Sequence, residues 1–322
     1  MKKYYLIYLI FFLFSCEKSE IPIAGHEMGE METNQISMLS DYSKQIFYSL
    51  DNNLVVKENT KTDWDLGFES SEQGWHVILN TSTFSELSSL NNAIFEDTII
   101  ENELVWTWDN PKGINVGTAI SDYPNNTTIY IINRGYNING SQRGLKKLMI
   151  DSITSSSYFI RYSNLDNSDY HSAIIKKDNN TNFTYLSFEN NSVINIEPFK
   201  ENWDLLFSQY THLYEDNTET PAYLVTGVYS NYINDIVIAK DTMNSFKDIT
   251  ALNINSYIFS NNQNEIGFEW KAYNFEEQMY TVDSKITYII KSTSNRYFKL
   301  RFIDFYNDNG EKGYPSFEIQ EL

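Results

Sequence analysis

The chain has 322 residues, enough for two ordinary domains and for a core that needs no disulfide or metal staple. Its 24 basic and 43 acidic side chains leave a net charge of −19, which excludes the basic stripe that nucleic-acid binding requires. The 24 Tyr and 20 Phe, set against only 6 Pro, favour half-buried β-strands joined by Asn, Asp and Gly turns, and no D-x-D-x-D-G calcium loop interrupts them.

Residues 1–16 read MKKYYLIYLIFFLFSC. Lys2 and Lys3 precede an apolar run from Tyr4 to Phe14 that is too short to span a bilayer as a helix, which takes about 20 residues. The segment Leu13-Phe14-Ser15-Cys16 resembles a bacterial lipobox, so Cys16 is the expected lipidation site and the bilayer the expected anchor. Each buried methylene adds about 0.8 kcal/mol, and several acyl chains hold a protein almost permanently. Residues 17–29 read as a polar tether. The acidic residues in it resemble a surface-export signal of Bacteroidota lipoproteins, which predicts an outer-membrane, cell-surface location.

Beyond the tether, a block repeats. FYSLDNNLVVKENTKTDWDLGF (47–68) matches YLSFENNSVINIEPFKENWDLLF (185–207): an aromatic strand, an Asn turn, a Val/Ile strand and then W-D-L-x-F. Trp64 and Trp203 lie 139 positions apart. At period two, Trp64, Leu66 and Phe68 are predicted on one face of a strand, as are Trp203, Leu205 and Phe207. Residues 83–90 and 246–253 are expected to be no more than short helical turns. Segments 130–153 and 288–305 read as β-hairpins, with Tyr130 matching Tyr288 and Leu148 matching Leu300. The expected division is therefore a first β unit at 30–170 and a second at 171–322, an all-β, sandwich-like architecture of antiparallel hairpins.

No G-x-S-x-G, H-E-x-x-H, C-x-x-C or G-x-x-x-x-G-K-[ST] pattern is present, so no catalytic or metal-ligating set is assigned and a binding protein is expected rather than an enzyme. Trp106, Trp108 and Tyr123 are either core residues or a stacking platform for haem, sugar or peptide. The histidines are His26, His76, His171 and His212, the last in the polar segment SQYTHLYEDN and expected in a loop.

The lipobox, the two W-D-L-x-F segments, Leu79-Asn80 and above all the ending YFKLRFIDFYNDNGEKGYPSFEIQEL (297–322) resemble the HmuY family of Bacteroidota lipoproteins, in a longer, two-unit form. That resemblance implies an all-β, extracytoplasmic protein that captures haem and hands it to a TonB-dependent outer-membrane receptor. It also implies two axial His on the middle hairpins, or Met in some relatives. Here one such place falls near Phe275, which cannot ligate iron, and Met279 is the nearest soft donor, with His212 the other candidate. The alternative is a non-catalytic interaction lipoprotein with no haem site.

Overall fold

The computed structural model describes residues 28–101, 104–124, 126–214 and 221–322; Cys16, His26 and the leader lie outside them. An N-terminal arm carries β1 (Glu32–Gln35), β2 (Lys44–Ser49) and β3 (Leu54–Thr60). The middle of the chain supplies β4 (Leu66–Glu69), β5 (Val77–Leu79), β6 (Glu86–Asn91), β7 (Thr128–Asn133), β8 (Leu145–Ile153), β9 (Ser157–Ser163), β10 (His171–Lys176), β11 (Phe183–Ser187) and β12 (Ser192–Ile194). The C-terminal part adds β13 (Leu205–Leu213), β14 (Ala222–Ser230), β15 (Val237–Asp241), β16 (Lys271–Asn274), β17 (Met279–Val282), β18 (Thr287–Lys291), β19 (Tyr297–Tyr306) and β20 (Lys312–Glu321).

These strands form two lobes whose sheets correspond strand for strand. The first lobe pairs a five-stranded sheet, β10-β9-β8-β7-β6, with a four-stranded sheet, β12-β11-β4-β5. The second pairs β1-β20-β19-β18-β15 with β3-β2-β13-β14. The repeated blocks account for the correspondence: Tyr130 is registered with Leu148 and Tyr288 with Leu300. Residue alternation builds each sandwich. Tyr130 and Ile132 face the first core with Leu66, Phe68, Leu148 and Ile150, while Ile129 and Ile131 face outward under Phe95. Tyr288 and Ile290 do the same in the second core with Leu205, Phe207, Phe302 and Phe317.

The division at 170/171 does not separate the sheets. The arm's strand β2 is registered with β13, as in Leu205 opposite Tyr48, while the matching strand β11 is registered with β4, as in Leu186 opposite Leu66. Each W-D-L-x-F strand is thus flanked by the hairpin from the other half of the sequence. The arm also adds β1 to the edge of β20, with Glu32 opposite Ile319. At that junction Met38 N–H donates to the carbonyl of Gly313, whose φ of +93° and whose closeness to the Leu39 oxygen leave no room for a Cβ.

Two local expectations are corrected. Residues 86–91 are strand β6, not a helical turn, because pairing with β7 buries Leu87 and Ser88; a 3-10 turn occupies only Thr81–Thr83. The other segment does form 3-10 turns, at Phe246–Asp248 and Ala251–Ser256. Neither tryptophan shares its strand's face: the strands begin at Leu66 and Leu205, and both indoles turn into a separate cluster between the lobes.

Candidate functional site

The outer faces of the two four-stranded sheets meet through Phe47, Trp64, Ile114, Phe183, Tyr185, Ile196, Trp203 and Tyr232. Trp64 packs edge-on against Tyr185 at 4.9 Å and Trp203 against Phe47 at 5.0 Å, each pair crossing from one half of the sequence to the other. The neighbouring aspartates fasten the same exchange. Asp65 accepts from the N–H of Phe188 at 2.7 Å, and Asp204 accepts from the N–H of Leu50 at 2.7 Å. Asp65 also holds Arg134 at 2.9 Å and Arg143 at 3.1 Å, whereas Asp204 takes the N–H of Thr293 at 2.9 Å.

This seam encloses a cavity of about 80 Å³, far below the roughly 300–1,000 Å³ of ligand pockets. Two buried carboxyl groups border it. Burial pushes Glu197 up to about 7 against the N–H groups of Asn182 and Phe183 and the Trp203 indole, and it pushes Asp109 up to about 6 against the N–H groups of Ala119 and Leu79. Their lone pairs are taken by the protein itself. The enclosed cavity therefore has no room for a haem-sized ligand, while an open cleft of about 530 Å³ borders the same Phe183, Tyr185 and Glu197 from outside.

A more open surface flanks the second lobe. Strands β16 and β17 form a two-stranded ribbon, with Asn274 registered opposite Met279 and Tyr273 opposite Tyr280. The turn is set by the Asn274 side chain, which accepts from the N–H groups of Glu276 and Glu277. Phe275 stands 84% exposed at the tip, and Met279 is 42% exposed. Tyr273 touches both Phe275 and Tyr280 at 5.1 Å, and Tyr280 rests on Phe305 at 5.1 Å. Beneath the ribbon Trp270 stacks on Phe302 at 3.9 Å. Lys271 is buried, with Nζ donating to the Thr226 carbonyl and lying 4.4 Å from the Trp270 ring and 4.9 Å from the Phe305 ring. That burial pushes its amine down to about 7.

His212 lies on β13, in a strand rather than the expected loop. It is registered opposite the exposed Tyr223 and packs edge-on against Tyr214 and Phe268, both at 5.0 Å. Its Nδ1 is buried without a hydrogen-bond partner, and burial lowers its pKa, which favours the neutral imidazole. Tyr223 in turn lies close enough to Tyr280 to interact electrostatically with it, which places His212 and the ribbon on the same flank.

Trp106, Trp108 and Tyr123 each pack against a different neighbour. Trp106 covers the outer face of the first lobe's five-stranded sheet, Trp108 lies 6.3 Å from Phe84 with its indole nitrogen buried and unpartnered, and Tyr123 lies 5.8 Å from Trp75. His76 is bound by Glu69 at 2.6 Å, and His171 by Asp169 at 2.8 Å. The sequence reading missed Lys271, Asp109 and Glu197, because nothing in spacing marks which charged side chains a second sheet will cover.

For a haem group, the ribbon supplies an aromatic wall on one face, from Tyr273, Phe275 and Tyr280, and the Met279 thioether on the other. The place that the resemblance gives to an axial donor is held by Phe275, so the flank suits stacking against a flat ring system better than two-sided ligation of iron. Among the described residues no group of three or more His, Cys, Asp and Glu side chains gathers as a metal ion would need.

Residues 179–319 match the family described as "HmuY protein". No curated protein matches the chain. Among solved structures, the chain is similar to the apo HmuY analog of Tannerella forsythia, at 10% identity and a TM-score of 0.34, over 92% of this chain and 99% of that one. It is also similar to a putative HmuY-like heme binding protein from Bacteroides vulgatus, at 18% identity and a TM-score of 0.20, over 42% and 82%. A third is a putative lipoprotein from Bacteroides fragilis, at 14% identity and a TM-score of 0.23, over 53% and 91%.

Proposed function

From the premise that residues 179–319 belong to the HmuY family, we propose that this chain is a non-catalytic, lipid-anchored capture protein of the outer membrane. Its ligand is a flat, largely apolar ring system of the haem class, held on the aromatic flank of the second lobe and passed to a TonB-dependent outer-membrane receptor. One observation supports the site above others: the matched segment contains the β16–β17 ribbon, where Phe275 and Tyr273 pack at 5.1 Å on one exposed face and the Met279 thioether stands exposed on the other, beside Asn274. Exposed aromatic side chains of this kind supply contact area for a planar ligand, and a thioether is a soft donor for iron. The proposed hand-over rests on the family alone.

A second reading is favoured by the phenylalanine at the donor position: an interaction lipoprotein of the same fold that binds a partner and no haem. Titrating haem into residues 17–322 separates the two. Capture predicts a sharpened, shifted Soret band that saturates at a fixed stoichiometry and is weakened by Met279→Ala. A featureless titration removes the capture reading and leaves the interaction lipoprotein.

A further inference from the structure

The second lobe carries two apolar side chains that a folded surface leaves almost wholly bare. Leu252 is 95% and Ile258 94% exposed, on and just after the 3-10 turn at Ala251–Ser256. Singly exposed leucines are ordinary, but the position of this pair is not arbitrary. Ile254 and Tyr257, from the same stretch, pack inward on a cluster that contains the C-terminal Leu322 together with Ala239, Ile249 and Ile289. The tether enters the fold beside that cluster. Gly29 N–H donates to the carbonyl of Glu321 at 3.0 Å, and the Gln320 side chain donates to the Gly29 carbonyl at 2.8 Å. Because β1 runs antiparallel to β20, the chain preceding β1 departs from the end at which β20 finishes.

Twelve residues, 17–28, separate Cys16 from Gly29, a reach of about 40 Å when fully extended. A link that short raises the effective concentration of the nearby surface at the bilayer to the millimolar range, so a contact too weak to recruit a free protein orients an anchored one. Interfacial insertion requires apolar side chains standing clear of the body, which Leu252 and Ile258 do.

We propose that the surface around Leu252 and Ile258 is the membrane-proximal face of the anchored protein, and that these two side chains enter the interfacial layer of the bilayer. This rests on the lipid-anchor reading of Cys16. The first lobe provides an internal control: Val105 is 75% exposed on a corresponding connector, but no tether enters beside it.

The test uses the full lipidated protein, in which lipid attachment consumes the thiol of the one native cysteine, Cys16. Leu252→Cys, Ile258→Cys and Val105→Cys each carry a polarity-sensitive fluorophore. The variants are placed in vesicles of phosphatidylethanolamine and phosphatidylglycerol that contain doxyl-labelled phosphatidylcholine. The expected result is a blue shift and quenching at 252 and 258, with neither at 105. Equal signals at all three positions, or none at 252 and 258 while the protein stays on the vesicles, overturn the proposal. If the intact mass shows Cys16 unmodified and the protein does not associate with vesicles, the anchor reading falls and the proposal falls with it. The substituted side chains lie on the surface, so folding, checked by circular dichroism, is expected to be unaffected.

Discussion

The two lobes have the same strand order but are assembled differently. The first is one continuous stretch, β4 to β12, whereas the second is closed by an arm from the opposite end of the chain. Ile36, Met38, Ile46, Tyr48 and Leu50 of that arm lie in the second core beside Phe302 and Phe317. Within the first lobe the strand pairing of widest separation spans 120 positions, Leu66 opposite Leu186. The other closes only when residues 287 positions apart meet, as Glu32 meets Ile319. Sequence similarity between the halves therefore does not make them equivalent folding units.

The largest expected effect divides the lobes outright. Residues 62–199 expressed alone should give a cooperative thermal transition by circular dichroism, and residues 203–322 alone should not, because β1–β3 and their core side chains are missing. Joining residues 28–61 after Leu322 through a short linker should restore the transition, since Gly29 already lies beside Glu321. If 203–322 folds without the arm, the comparison is broken.

Next come the matched aspartates. Asp65→Ala leaves Arg143 buried without its carboxylate and Arg134 with only the exposed Glu189 at 3.4 Å, and is expected to destabilise the protein by about 3–5 kcal/mol. Asp204→Ala removes only a hydrogen-bond acceptor from the N–H groups of Leu50 and Thr293, an expected loss of about 1–3 kcal/mol. Urea unfolding of the two variants measures the difference, and an equal loss would mean that the arginines contribute nothing to the asymmetry.

The tryptophan sites sharpen the comparison further. The Trp64 indole donates to the neutral Gln45 at 2.8 Å, and that of Trp203 to the Glu197 carboxyl at 3.2 Å. Burial lifts the Glu197 pKa from 4.5 to about 7, so between those values the folded state keeps a proton that the unfolded chain releases. Stability should fall as pH rises through that window, by about 3 kcal/mol from this group. Asp109, lifted to about 6, acts in the same direction. Glu197→Gln should remove most of the slope in unfolding free energy measured across the window. Gln45→Glu should steepen it.

The smallest stability effect is expected on the exposed ribbon. Met279→Ala and Phe275→Ala should change unfolding free energy by less than about 0.5 kcal/mol, as is usual for surface positions, so any effect on ligand binding reads the site and not the fold.

Much of the architecture was legible. Segments 130–153 and 288–305 were legible as hairpins from their apolar runs around Gly, Asn and Ser turns, and they form β7–β8 and β18–β19. The W-D-L-x-F pattern was read correctly as strand from Leu66 and Leu205 onward but not for the tryptophans, since the period-two rule stops where the strand does. Residues 83–90 misled because Ser and Glu carry weak strand preference, and pairing with β7 overrode it. The site was less legible. Phe275 and Met279 stood out by their chemistry, but the burial of Lys271 beneath them depends on Trp270 and Phe305 meeting from distant strands.

By itself the sequence determined an acidic, all-β chain with two matching sets of strands, because periodicity and composition are local properties. Only the tertiary structure decided which hairpin lies beside which W-D-L-x-F strand. Backbone hydrogen bonds are the same whichever copy supplies the neighbour. The choice comes from burial of Trp64, Trp203, Phe47 and Tyr185 at the seam and from Asp65 and Asp204 reaching the N–H groups of the opposite half.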